Sequence, residues 1–218
     1  FEDAVTDVGY ASEGKAEYVA VAGGAIYRVT LPLLKLEPIF YSIPTGRSWF
    51  QYGGQIDSFA HLNSDWFTIV DLKKGNVSKF PEKNASLYSD SGRPYFEIGV
   101  DWDKKIARYI TVNNEGFYLL KSVDMTSGRV VGEFVLPSKG EWASINDNAT
   151  LVAILSDNNS VEVWDIQKRT IVGDSISVKS EFQRIQVIGN EGIVFCYDQY
   201  SGQLYDVRTG KNAGSMIR

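Results

Sequence analysis

The chain of 218 residues contains one cysteine, Cys196, and one histidine, His61. A single cysteine excludes an internal disulfide. The pair together supplies too few ligands for the usual structural zinc site or for transition-metal centres, which draw on several such side chains. Cys196 lies in the apolar run "GIVFCYD" and is read as a buried core thiol. No basic run reaches five residues and the net charge is −5, which argues against nucleic acid as a partner. No apolar stretch approaches the ~20 residues of a membrane helix, and none has the pattern of a secretory signal. The chain opens on Phe1 rather than Met, so it is expected to be one domain of a larger protein. The expected location is the cytoplasm.

The motifs of the common chemistries are missing as well. There is no Gly-x-Gly-x-x-Gly, no phosphate-binding Gly-Lys-Ser/Thr loop and no Gly-x-Ser-x-Gly elbow. His61, in "SFAHLN", falls near the end of a strand, where a catalytic role is not expected. Asp57, Asp101 and Asp103 are the candidates for a carboxylate pair of the glycosidase kind. However, "VDWDKK" places Asp101 and Asp103 beside Lys104 and Lys105 in a turn, which reads as a solvated charge cluster. The same acids match no EF-hand spacing. Four Asn-x-Ser/Thr sequons, at Asn76, Asn84, Asn148 and Asn158, are read as turn asparagines. No cofactor, metal site or catalytic residue is expected.

What the chain does have is strand-forming material. Hydrophobic residues make up 44% and charged residues 22%, a globular balance. The apolar pool is rich in Val, Ile, Tyr, Phe and Trp, and the 20 glycines often sit in short polar clusters typical of turns. A repeat emerges in the segments "IVDLKKGN" (69–76), "SVDMTSGR" (122–129), "VWDIQKRT" (163–170) and "LYDVRTGK" (204–211). Each is an apolar run, an Asp, an apolar residue and a polar turn. The aspartates, Asp71, Asp124, Asp165 and Asp206, are spaced 53, 41 and 41 apart. A step of 41 back from Asp71 reaches Thr30 in "YRVTLP". An aromatic anchor, Trp49, Phe96, Trp142 or Phe182, precedes each Asp by 22, 28, 23 and 24 residues. Between anchor and Asp lies a second strand ending in a turn with Gly, Asn or Asp, as in "LVAILSDNNS", and after the Asp turn comes a fourth, as in "NVSKF", "RVVGEFVL" and "TIVGDSI". Four short antiparallel strands about every 41 residues is the period of a propeller blade.

The unit "WASINDNATLVAILSDNNSVEVWDIQKRTIVGDS" resembles the WD40 repeat family, whose blades end their third strand in Trp-Asp. The Gly-His pair of that family is absent, so its buried Asp–His–Ser/Thr–Trp network cannot form. The chain is therefore similar to divergent members. Quinoprotein blades share a turn like "RTGK" but not the residues after Lys211. The resemblance implies an all-β propeller of four-stranded antiparallel blades at about 5–43, 47–80, 95–137, 140–178 and 181–218, forming a single domain over 1–218. The ring is either closed with five blades, part of a larger ring, or completed by a partner chain. Trp164 would pack between blades, with a cost of roughly 3–5 kcal/mol on truncation to Ala. Asp165 would cap its turn.

The resemblance implies a protein-interaction scaffold rather than an enzyme, with a protein or peptide partner, no membrane insertion and a place in a multi-subunit complex. The alternative is a five-bladed carbohydrate-binding or glycoside-hydrolase propeller. Binding is expected on the connectors between blades and on the second-to-third strand turns, which share one face. From Asp (or Thr30) to the next anchor the connectors measure 19, 25, 18 and 17 residues. The long one, "FPEKNASLYSDSGRPYF" (80–96), carries Tyr88, Arg93 and Tyr95, residue types enriched at binding hot spots. Arg47, Glu141 and Glu181, next to the anchors of neighbouring units, complete the expected protein-binding set as rim charges.

Overall fold

A computed structural model of the chain describes the backbone of residues 5–10, 16–21, 25–30, 35–41, 49–52, 58–62, 66–71, 76–81, 87–88, 94–95, 98–113, 115–138, 140, 142–146 and 148–217. Side chains are described at 68–70 and 76–80 and, from 98 to 217, at every position except 114, 139, 141 and 147. The chain divides into two compact units, Phe1–Ser86 and Leu87–Arg218.

The first unit holds two sheets. One orders β1 (Val5–Tyr10), β2 (Ala16–Val21), β3 (Ala25–Thr30) and β4 (Lys35–Tyr41), and the next orders β5 (Trp49–Tyr52), β6 (Ser58–Leu62), β7 (Trp66–Asp71) and β8 (Asn76–Pro81). All neighbours are antiparallel and consecutive. Pro38 lies on the edge strand β4 beside a register shift in its pairing with β3, the kind of position to which proline in sheets is confined.

The second unit begins with a two-stranded ribbon, β9 (Leu87–Tyr88) and β10 (Pro94–Tyr95), followed by three sheets. The first comprises β11 (Ile98–Asp101), β12 (Ile106–Val112), β13 (Tyr118–Asp124) and β14 (Val130–Val135). The middle sheet comprises β15 (Trp142–Ile145), β16 (Leu151–Leu155), β17 (Ser160–Asp165), β18 (Thr170–Ile171) and β19 (Ile176–Ser177), with β18 and β19 both paired to β17. The last sheet comprises β20 (Arg184–Ile188), β21 (Ile193–Tyr197), β22 (Gly202–Asp206) and β23 (Lys211–Asn212). This all-β pattern of antiparallel four-strand paths is consistent with blades.

Here "TIVGDSI" departs from a single fourth strand. It splits into β18 and β19 because Gly173 turns out of the ladder at φ +71, with its Cβ position only 2.0 Å from the carbonyl oxygen of Val207 in the next sheet. Only glycine combines that backbone conformation with that approach. The last sheet repeats the device, since β23 stops after two residues and Ile217 bridges back to Gly202.

The strand alternation builds the core between sheets. β16 is buried along its whole length. Leu151, Ala153 and Leu155 join Val161, Val163 and Ile176 against Phe182, Ile185, Val187, Val194 and Cys196 of the last sheet. Val152 and Ile154, on the opposite face, join Trp164 and Ile166 against Ile110, Tyr118, Leu120 and Leu136 of the first sheet. Trp164 meets Phe134 edge-on, with centroids 6.1 Å apart. Its indole Nε1 is buried and finds no acceptor among the described residues.

Polar clamps fix the same seams. The buried side chain of Asn146 donates to the Gly189 carbonyl (2.9 Å) and to Asn190 Oδ1 (2.9 Å) of the next sheet, while its Oδ1 accepts from the N–H groups of Thr150 and Leu151. The N–H of Val187 donates to Ser144 Oγ at 3.1 Å. Arg108 Nη1 donates to the Ala149 carbonyl at 3.0 Å.

Candidate functional site

Each sheet of the second unit has two kinds of end. At one end are the Asp turns. Asp124 Oδ1 accepts the N–H groups of Thr126 (2.8 Å) and Ser127 (2.7 Å), Asp165 Oδ1 those of Gln167 (3.0 Å) and Lys168 (2.9 Å), and Asp206 Oδ1 that of Arg208 (2.9 Å). The N–H four residues on closes back to the Asp carbonyl: Gly128 to Asp124, Arg169 to Asp165 and Gly210 to Asp206. Gly128, Arg169 and Gly210 have φ of 68°, 57° and 67°, so the turn demands a left-handed residue at a fixed repeat position. Two repeats meet that with glycine, and the third strains an arginine. The hydrogen bonds hold Asp124 below the ordinary carboxylate range, the Ser127 N–H foremost. Asp165 is also lowered, because the bonds from Lys168 and Gln167 and the Lys168 ammonium, 3.1 Å away, outweigh a burial effect that acts upward.

Opposite the Asp turns lie the second-to-third strand turns and the connectors between sheets, where binding was expected. Three short-range devices order the turns. Asn113 Oδ1 accepts from Glu115 (3.0 Å) and Phe117 (2.9 Å), the Ser156 and Ser160 hydroxyls donate to Asn158, and Asp198 Oδ1 accepts from Tyr200 (2.6 Å) and Ser201 (2.7 Å). The backbone bonds to Tyr200 and Ser201 lower the Asp198 pKa. Tyr200 stands 82% exposed at the tip.

The expected site residues are placed unevenly. Tyr88 and Tyr95 lie on the ribbon, with Tyr88 opposite Pro94 and Tyr95 opposite Leu87. The long connector therefore carries strands of its own rather than a plain loop. Glu181 is exposed beside Lys179 (3.3 Å), whose Nζ also approaches Met216 Sδ at 3.7 Å. Arg47, Arg93 and Glu141 lie outside the described residues. Of the anchors, Phe182 is core and Trp142 is half-buried beneath the Arg184 guanidinium, 5.5 Å from its ring centroid. Trp49 opens β5, and Phe96 lies outside the described residues.

The carboxylates considered for catalysis are placed in part. Asp101 accepts from the backbone N–H (3.0 Å) and Nζ (2.7 Å) of Lys104. Burial acts upward on it, but these bonds and the Lys104 charge leave its pKa lowered. Asp103 occupies the same turn, His61 lies in β6, and Asp57 lies outside the described residues. Among the described residues no three His, Cys, Asp or Glu side chains converge as metal ligands, and no helix is long and apolar enough to cross a membrane. Cys196 is buried, and burial pushes its thiol up to about 12.

The sequence reading did not anticipate Arg169. Its guanidinium lies 5.5 Å from the centroid of Phe134, a β14 residue of the preceding sheet. The signal was present in the repeat, since stepping 41 residues either way from Arg169 reaches Gly128 and Gly210.

No family model matches the chain. It is similar to the ribosome biogenesis protein ENP2 of Saccharomyces cerevisiae, with 25% identity over 162 residues, 70% of this chain and 22% of that protein. The chain thus spans between a fifth and a quarter of the length of the curated relative it matches.

Proposed function

We propose that the chain is a divergent WD40-like propeller domain that acts as a non-catalytic scaffold, presenting its connectors to a partner protein within a larger complex. The observation that carries this is the β9–β10 ribbon, a strand pair within the 80–96 connector that belongs to none of the four-stranded sheets. A paired ribbon carries Tyr88 and Tyr95 on backbone of strand geometry, which lowers the entropy lost on binding. Arg93 immediately precedes β10 in the sequence, and Tyr and Arg are the residue types that anchor interfaces. Glu181, and Glu141 and Arg47 with it, would tune encounter and specificity as rim charges. The similarity to a ribosome biogenesis protein supports membership of a multi-component assembly.

The test is affinity capture from host lysate with the wild-type domain beside an Arg93→Ala, Tyr95→Ala double variant. A protein retained by wild type and lost from the variant, with equal thermal stability of the two, supports the reading. Capture unchanged by the double substitution would show that the ribbon is not the binding site.

A further inference from the structure

We infer that the outer edge of β14 is a second docking surface, which takes an extended acidic segment of a partner protein as an added strand. Two independent observations meet on this strand. The first is its edge. β14 ends its sheet and has no ladder partner on its outer side among the described residues. Val130, Val131 and Val135 are 45%, 58% and 47% exposed. Val131 is bulged out of register between the pairs formed by Ser122 and Val123, which leaves Gly132–Val135 as a regular edge. The next two sheets protect theirs, because their fourth strands stop after two residues at β18 and β23. An open apolar edge beside blunted neighbours is the form that strand addition uses.

The second observation is charge. Arg169 is exposed, adopts the strained φ of 57° where its sister turns carry glycine, and is held over Phe134 of this strand. A strained backbone that fixes an exposed guanidinium suits a binding role better than a folding one. Arg129, also exposed, immediately precedes Val130. Neither arginine makes an ion pair among the described residues, and the nearby Asp165 is engaged by Lys168. The one acid on the strand, Glu133, faces Lys121 across the ladder. Exposed guanidinium groups beside an apolar edge, neither in an ion pair among the described residues, complement carboxylates of an incoming strand.

This surface uses residues other than the β9–β10 ribbon, so the two proposals fail separately. The test measures anisotropy of a labelled short peptide alternating valine with aspartate, at low salt, on the whole chain. A peptide alternating valine with lysine and a single-stranded oligouridylate serve as comparators. The aspartate peptide should bind, with the lysine peptide about tenfold weaker or worse. Arg169→Gly, which installs the residue of the sister turns, should weaken binding about tenfold without lowering the melting temperature, and Val131→Glu with Val135→Glu should abolish it. Equal binding of both peptides, no effect of Arg169→Gly, or no binding at all would each overturn the proposal. Tighter binding of the oligouridylate, lost in Arg169→Gly, would replace a protein segment with nucleic acid. A clear fall in melting temperature for Arg169→Gly would make Arg169 a structural clamp instead.

Discussion

Trp164 offers a test of the seam between the first and middle sheets of the second unit, because its two contributions oppose each other. Its ring is 92% buried among Ile110, Leu120, Val152 and Ile166 and meets Phe134 edge-on. Truncation to Ala removes that packing and opens a cavity, at a cost of roughly 3–5 kcal/mol. Its indole N–H, however, is buried without an acceptor among the described residues, a defect worth roughly 1–3 kcal/mol against the fold. Trp164→Phe keeps the aromatic contact, loses part of the apolar surface and removes the orphan donor. Its net cost is therefore expected to stay below about 1 kcal/mol. With a urea m-value of ~2 kcal/mol/M, the midpoint should fall by about 2 M for Ala and by less than about 0.5 M for Phe. Two compact units can unfold separately, so the urea series should be read by hydrogen exchange over residues 142–166 as well as by circular dichroism. A Phe variant as damaged as the Ala variant would mean that the indole N–H is bonded after all. An Ala variant within about 1 kcal/mol of wild type would mean that the seam does not depend on this side chain.

Three further outcomes follow from the turns and the core. Gly210→Ala places a Cβ in open space at φ +67 and should cost only about 1 kcal/mol of backbone strain. Gly173→Ala adds to that strain a clash 2.0 Å from the Val207 carbonyl oxygen, about 1–3 kcal/mol more, and thermal melts of the pair measure the difference. Asp124 and Asp165 have depressed pKa values. The stability they contribute is therefore complete above the ordinary carboxylate pKa of about 3.9 and is lost as pH falls through their lower folded values. Asp124→Asn should flatten the acid limb of a stability–pH curve below about pH 4. Cys196, its thiol pushed up to about 12, should resist a thiol reagent at neutral pH in the native protein and react at the unfolding rate, whereas rapid native labelling would show that it is accessible.

The Asp turns were legible because their chemistry is local. A carboxylate that must reach N–H groups two and three residues on fixes its own position in the sequence, so Asp124, Asp165 and Asp206 stand out by spacing alone. The unusual length of the 80–96 connector was legible for the same reason, but not the ribbon inside it, which depends on pairing Leu87–Tyr88 with Pro94–Tyr95 across a turn. The broken fourth strand in "TIVGDSI" was not legible either. Its cause, Gly173, acts through the Val207 carbonyl of another sheet, and glycine within an apolar run carries no mark of which partner it must approach. Arg169 stood between these cases, ordinary as a residue but anomalous once aligned with Gly128 and Gly210.

The seams of the second unit are held by polar contacts that lie away from the Asp turns. The aspartates are turned toward their own turns, where backbone N–H groups and, for Asp165, the Lys168 ammonium satisfy them, and the Trp164 N–H has no partner among the described residues. The polar contacts that align neighbouring sheets come from elsewhere. Ser144 takes the N–H of Val187, Asn146 the carbonyl of Gly189, and Arg108 that of Ala149. These bonds run from one sheet to the next rather than within one, and register between sheets therefore rests on residues a search for the family's motif would pass over. The stacking of these sheets therefore depends on Ser144, Asn146 and Arg108 rather than on the repeated aspartates.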